Sequence, residues 1–362
     1  MDPISRREFV ASAAALGTAA FVAPAFARRS ASVLNQRAEP GIWGHGDHRF
    51  RVVPGWGAQA AKTIAVNDCH EMVQTADGRL FMFGNKTDNN MLIFNKDGNV
   101  TDTWGTDYPG GHGCTLHAEN GEEFLYLTDP NRHQVIKTDL KGNVLLTLDA
   151  PLQTDQYTDA NAYKPTETAI APNGDIYVAD GYGSQYLLHY SPKGELKGVY
   201  AGPGSEPNQF NNMHGVTLDT RDPANPTLIC TARAQNGFKR FSLDGEHLST
   251  VHLPGLWVCR AVVMGDLLAF AVIISGLDSW QSDRSGFVAI LDADDKLISC
   301  PGATDPAHSP VNPDGSPSKY LATRTPDAPF MHPHDVCADR DGNLYVPQWA
   351  SDQTYPVKLE RV

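Results

Sequence analysis

The sequence predicts an all-β fold, a six-bladed β-propeller forming one domain. Five segments begin with a polar residue followed by a short apolar stretch: His70 in NDCHEMVQTADG, His112 in GGHGCTLHAENG, Glu167 in KPTETAIAPNG, His214 in NNMHGVTLD and His334 in MHPHDVCADRDG. Most of them run through an Asp-Gly or Asn-Gly turn into a second strand-like stretch such as RLFMFG, DIYVAD or NLYVPQW. Outer hairpins recur behind these pairs, in FNKDGNVTDTW, KTDLKGNVLLTL, HYSPKGELKGVY, RFSLDGEHLSTV and ILDADDKLISC, each with a turn between two alternating runs. Five full blades follow, and HDVCADRDGNLYVPQW starts a sixth that the two termini complete.

Taken in order, Ser5-Arg6-Arg7 precedes an alanine-rich apolar run from Ala11 to Val22 and an Ala25-Phe26-Ala27 ending. Residues 1–27 therefore read as a twin-arginine export signal, to be removed after Ala27, with the translocation machinery as a partner. The apolar run falls short of the ~20 residues that a bilayer span needs, so no stable membrane anchor is expected. Residues 28–47 read as a linker, in which His45 and His48 of GHGDH are either incidental or a small accessory metal site. The propeller is expected over 48–362. The strand in HRFRVVPGW closes the ring against the C-terminal YPVKLERV, which protects both edges. An insertion over about 275–330 surrounds one outer hairpin, and its Pro, Asp and Ser content reads as a cover over the channel mouth or a loop excursion.

The net charge of −13, with 42 acidic and 29 basic side chains, excludes a phosphate-binding surface and so a nucleic-acid partner. Six cysteines form no C-x-x-C pair. A cysteine zinc knuckle is therefore not expected, and export to an oxidising compartment permits disulfides. Cys69, Cys114, Cys259 and Cys337 lie within three residues of repeat positions, as soft metal ligands, an axial disulfide, or small buried hydrophobes in tightly packed strands.

Blades arranged about an axis bring equivalent residues to one channel. With Arg260 of WVCRAVV as the blade-five equivalent, the channel positions read His70, His112, Glu167, His214, Arg260 and His334. Their spacing is 42 to 55 residues until the last, which the insertion lengthens. Converging neutral imidazoles are a metal-ligand set, zinc above all. His332 stands two residues before His334, as a further ligand or as a proton carrier behind it.

The stretch PTETAIAPNGDIYVADGYGSQYLLHYSPKGELKGVYAGPGSEPNQFNNMHGVTLD resembles an NHL repeat, and more closely the catalytic domain of peptidyl-α-hydroxyglycine α-amidating lyases. The resemblance runs from about residue 64 to the C-terminus. It implies a six-bladed propeller with a zinc held by three histidines and a structural calcium deeper in the channel. The ligand motifs match HGCTL, HGVTL and PHDV, which gives His112, His214 and His334 as the zinc set, and Asp335 matches the calcium carboxylate. The family's catalytic tyrosine matches Tyr182 in ADGYG, and a substrate-binding arginine matches Arg233 in TARAQNG. A second family arginine has no counterpart, since Asn85 and Lys86 stand there, and the residue two before the last ligand is His332 in place of methionine.

These readings give an exported, periplasmic or secreted, zinc-dependent lyase or hydrolase acting on a small hydroxylated or carbonyl-bearing substrate. Two alternatives stay open: a non-catalytic ligand-binding NHL propeller and a calcium-dependent lactonase-like hydrolase. The second needs carboxylate and amide donors, which a register rich in imidazole supplies poorly.

Overall fold

A computed structural model describes residues 41–276, 282–308, 316, 318–350 and 353–362. The expected leader at 1–27, the first part of the expected linker and three stretches of the insertion (277–281, 309–315 and 317) lie outside them. Among the described residues every regular element is a β-strand apart from three short 3₁₀ turns, and the strands form six antiparallel sheets.

Blade one is β3 (Cys69–Gln74), β4 (Leu80–Gly84), β5 (Met91–Phe94) and β6 (Val100–Trp104). Blade two is β7 (Cys114–Glu119), β8 (Glu122–Asp129), β9 (Gln134–Asp139) and β10 (Val144–Leu148). Blade three is β11 (Glu167–Ile170), β12 (Ile176–Ala179), β13 (Tyr186–Tyr190) and β14 (Leu196–Ala201). Blade four is β15 (Met213–Asp219), β16 (Thr227–Ala232), β17 (Gly237–Phe241) and β18 (His247–His252). Blade five is β19 (Leu256–Met264), β20 (Leu267–Ser275), β21 (Phe287–Leu291) and β22 (Leu297–Ser299). The sixth sheet joins β23 (Cys337–Ala338) and β24 (Leu344–Val346) to the C-terminal β25 (Val357–Arg361), then to the N-terminal β2 (His48–Val52) and β1 (Ile42–His45).

The composition of each strand follows from its place. Second strands such as Leu80–Gly84 are buried throughout and read as continuous apolar runs, whereas fourth strands such as Val100–Trp104 keep exposed positions and stay polar. Apolar clusters fill the spaces between neighbouring blades: Phe83 and Met91 of blade one pack with Leu125 and Leu127 of blade two, and Tyr177 of blade three with Leu228 and Phe241 of blade four. Each such large side chain contributes about 1.5–3 kcal/mol on leaving water. The six first strands β3, β7, β11, β15, β19 and β23 contact one another in a closed cycle, so they line the channel.

The closing sheet matches the expected pairing of the two ends, with Phe50 opposite Arg361 and Val52 opposite Leu359. The linker boundary is corrected: Ile42–His45 is a strand paired with His48–Val52 through a two-residue turn in which Gly46 has φ +57°. Two glycines in four residues hide the alternation of this strand in the sequence. The described part of the insertion packs onto blade five, where Ala322, Ala328 and Phe330 join the core and Leu321 N–H donates to Pro254 O. All six cysteines are free and buried, with no disulfide among them.

Candidate metal centre

The channel is built in pairs of residues. In blade two the amide of His112 donates to Thr128 O, in blade three Thr166 donates to Ala179 O, and in blade six His334 donates to Pro347 O. The regular ladder then runs from Cys114 opposite Leu127 in blade two, and in blade three Glu167 also meets Ala179 before Thr168 stands opposite Val178. Blades one, four and five show a register shift at the same place, between Cys69 and Glu71, Met213 and Val216, and Val258 and Ala261. Such bulges re-aim side chains. The repeat unit is therefore a dipeptide: His70-Glu71, His112-Gly113, Thr166-Glu167, His214-Gly215, Cys259-Arg260 and His334-Asp335.

This pairing corrects the single ring of six positions. The first residues of the pairs make one layer, His70, His112, Thr166, His214, Cys259 and His334, and the second residues make another. Glu167 and Arg260 belong to the second layer, one residue out of step with the histidines. Glu71 and Asp335 stand beside them, Glu71 being a residue that the repeat alignment of histidines does not mark. Gly113 and Gly215 complete the layer without side chains, and both donate their amide to a threonine hydroxyl, Thr128 Oγ1 at 2.7 Å and Thr231 Oγ1 at 2.8 Å. A Cβ on Gly113 would stand 2.6 Å from Thr166 O, and one on Gly215 would stand 2.6 Å from Arg260 Cα, so neither position takes a larger residue without displacing backbone.

The first layer gathers four imidazoles. His112, His214 and His334 have ring centroids 4.8 to 4.9 Å apart, and His70 lies 4.7 Å from both His112 and His334. Nδ1–H of His112 donates to Thr166 O at 2.8 Å, and Nδ1–H of His334 to His70 O at 3.1 Å. These bonds fix the tautomer and leave each Nε2 lone pair facing the channel, the arrangement that orients metal-bound histidines. Nε2 of His334 and Nδ1 of His70 and His214 are buried with no hydrogen-bond partner. Burial, the largest influence, holds all four rings below the ordinary imidazole pKa, His70 at about 4, so they are neutral donors at neutral pH.

Donor atoms within 4.8 Å of one another form two groups, His70 with His112 and His334, and His214 with Cys259 and His334. The set implied by resemblance, His112, His214 and His334, draws from both. His334 belongs to each group, yet its Nδ1 is committed to His70 O, so it has one lone pair for one ion. The donor set fits zinc, which binds imidazole nitrogen and thiolate sulfur.

Tyr182 and Arg233 complete the centre. The Tyr182 hydroxyl lies 3.1 Å from Nε2 of both His112 and His214. The residue is 40 % exposed, while its hydroxyl oxygen is engaged with these two rings. Its loop is held by Gln185, whose Nε2 donates to Gly181 O and whose Oε1 accepts from Met213 N, next to His214. Burial raises the phenol pKa, and the Arg233 guanidinium beside it offsets part of the rise. Arg233, only 3 % exposed, sits on the 3₁₀ turn Arg233–Gln235 and donates to Cys259 Sγ at 3.1 Å.

The other expected residues fall elsewhere. His332 has φ +55°, outside any strand, and its Nδ1 lies 2.6 Å from Ser285 Oγ, a bond that engages this nitrogen away from the imidazole layer. Asp335 has both oxygens engaged by Arg260, with Nε at 3.0 Å and Nη2 at 2.8 Å, and accepts Met72 N as well. A calcium ion does not fit beside a carboxylate so occupied. His45 Nδ1 accepts Cys300 N at 3.1 Å, which ties β1 to blade five and spends the lone pair an accessory metal site would need. Asn85 binds Asp68, and Lys86 pairs with Asp88 at the surface.

No family model matches the chain. It is 29 % identical over 166 residues to a probable peptidyl-α-hydroxyglycine α-amidating lyase of Caenorhabditis elegans, covering 45 % of each chain. It is 33 % identical over 154 residues to peptidyl-α-hydroxyglycine α-amidating lyase 1 of Drosophila melanogaster, covering 39 % of this chain and 26 % of that one. The chain thus spans less than half the length of either relative. A gluconolactonase structure from Xanthomonas campestris superposes with a TM-score of 0.55 at 13 % identity, over 90 % of this chain and 93 % of that one, a likeness of fold. This all-β chain is therefore a six-bladed propeller with homologues among the peptidyl-α-hydroxyglycine α-amidating lyases and the NHL-repeat proteins.

Proposed function

We propose that the protein is an exported, zinc-dependent lyase or hydrolase for a small hydroxylated or carbonyl-bearing substrate, with His112, His214 and His334 as the ligands. The observation that carries this reading is one phenol oxygen at 3.1 Å from two imidazole Nε2 atoms, beside a buried guanidinium. Zinc, when bound, supplies positive charge that polarises a substrate oxygen and draws down the pKa of a neighbouring phenol.

The side chains divide the remaining work. Tyr182, as phenolate, takes the proton of the substrate hydroxyl; the oxygen then forms a carbonyl as the carbon–nitrogen bond breaks, and the phenol returns the proton to the leaving nitrogen. Arg233 holds a carbonyl or carboxylate oxygen at the far end. The pairings of Asn85 and Lys86 leave that task to Arg233, which favours a substrate with one such end. A calcium-dependent lactonase chemistry has less support, because the channel carboxylates face Arg260.

The test is elemental analysis of the purified chain beside a His112→Ala, His214→Ala double variant, followed by glyoxylate release from a peptidyl hydroxyglycine. Metal in the parent and not in the variant supports the centre, and equal negligible metal in both removes it. Export through the twin-arginine machinery to the periplasm is part of the proposal. An Arg6→Lys, Arg7→Lys variant that still reaches the periplasm would overturn that part.

A further inference from the structure

The second channel layer holds three carboxyl groups and one guanidinium, all buried or nearly so. Arg260 leaves blade five and reaches across the axis. Its Nε and Nη2 hold both oxygens of Asp335 in blade six, its Nη2 lies 3.3 Å from Met72 O of blade one, and its Nη1 lies 3.4 Å from Cys114 O of blade two. Glu71 Oε2 is 3.6 Å from Nη1, and Glu167 Oε2 of blade three is 3.8 Å from Nε. The carboxylates also tie blades to one another: Asp335 accepts the amide of Met72, and Glu71 accepts the amide of Cys114 at 2.7 Å. Carbonyl and carboxylate oxygens from four blades thus converge on one positive group. Such an oxygen cage is what a hard divalent cation selects.

We infer that the Arg260 guanidinium is the fixed cation of this channel, standing where the resemblance puts calcium, and that the propeller closes its ring with no structural divalent ion. A planar fork suits the task, since it bonds Asp335 through two parallel N–H groups while its remaining edge faces the carbonyls. Space for it comes from the sequence, because Gly113 and Gly215 present no side chain to the layer and Gly215 lets the Arg260 backbone approach. The imidazole layer is left to bind its own metal without a second ion beneath it.

The experiment measures calcium content and thermal unfolding of the wild-type chain after EGTA treatment and resupply with zinc alone or with zinc and calcium. The expected result is no stoichiometric calcium and the same Tm in both cases. An Arg260→Ala variant leaves Asp335, Glu71 and Glu167 facing one another. Its Tm should fall by roughly 5–10 °C and recover by several degrees in millimolar calcium, which the vacated cage then binds. One calcium per wild-type chain, with a Tm that depends on it, overturns the inference, as does an Arg260→Ala protein as stable as wild type. If Arg260→Ala does not fold, the wild-type calcium content and Tm decide alone.

Discussion

The phenol oxygen of Tyr182 stands 3.1 Å from Nε2 of His112, and the same oxygen stands 3.1 Å from Nε2 of His214. The phenol can donate to Nε2 of His112 and accept from Nε2–H of His214, and an ion between the rings would take the two nitrogen lone pairs in place of these bonds. Tyr182→Phe is expected to retain the metal and to lower turnover of a hydroxyglycine substrate by roughly 10²–10⁴-fold, the range of a general acid–base residue. Metal content and kcat measured on the same preparation check it. Loss of metal with the hydroxyl would make Tyr182 a ligand and not a base.

Arg233 holds the sulfur of Cys259 at 3.1 Å, although that sulfur lies among the donor atoms of His214 and His334. With the sulfur so engaged, the metal is expected to take imidazoles only. Cobalt-substituted protein should then lack a thiolate-to-cobalt charge-transfer band, and Cys259→Ser should bind the same amount of cobalt with the same spectrum. A band that disappears in Cys259→Ser would place the thiolate in the coordination shell.

Four buried imidazoles make the metal-free protein acid-sensitive. Burial lowers their folded pKa below the unfolded value near 6.5, so between the two the unfolded chain binds more protons and stability falls with falling pH. For His70 the window runs from about 6.5 down to about 4. Each such ring steepens the loss by up to about 1.4 kcal/mol per pH unit. Denaturant unfolding of the apo protein across this window should show the fall, and His70→Gln should flatten it by one proton. An unchanged slope would mean that His70 is not held neutral by burial.

Gly215→Ala places a Cβ 2.6 Å from Arg260 Cα, a backbone atom that cannot swing aside. It is expected to cost about 1–3 kcal/mol, the range of an overpacked core, read as a lower denaturant midpoint. A neutral result would show that β15 and β19 part easily and that the layer is looser than its contacts suggest.

The blades were legible in the sequence because each turn has its own chemistry: in Asp339-Arg340-Asp341-Gly342, the Asp339 carboxylate accepts the amides of Asp341 and Asn343, and Gly342 takes φ +82°. The histidines were legible because they recur before similar apolar runs. The register of blades three and five was not, because a bulge leaves no mark in composition. Polarity points to Glu167 and Arg260, whereas Thr166 looks like an ordinary strand residue and Cys259 stands out only as one of four cysteines near repeat positions. Reading dipeptides would have found them, since His-Glu, His-Gly, His-Gly and His-Asp align with Thr-Glu and Cys-Arg. The occupation of Asp335 by Arg260 depends on a side chain crossing the channel from a strand 75 residues away, which no local pattern announces.

The most direct test of the metal centre is an anomalous difference map, collected on either side of the zinc edge, from crystals of the protein grown with zinc. A single peak enclosed by Nε2 of His112, His214 and His334, with none beside Asp335, is the predicted result. Density without a peak at the imidazoles, or a peak beside Asp335, would contradict it.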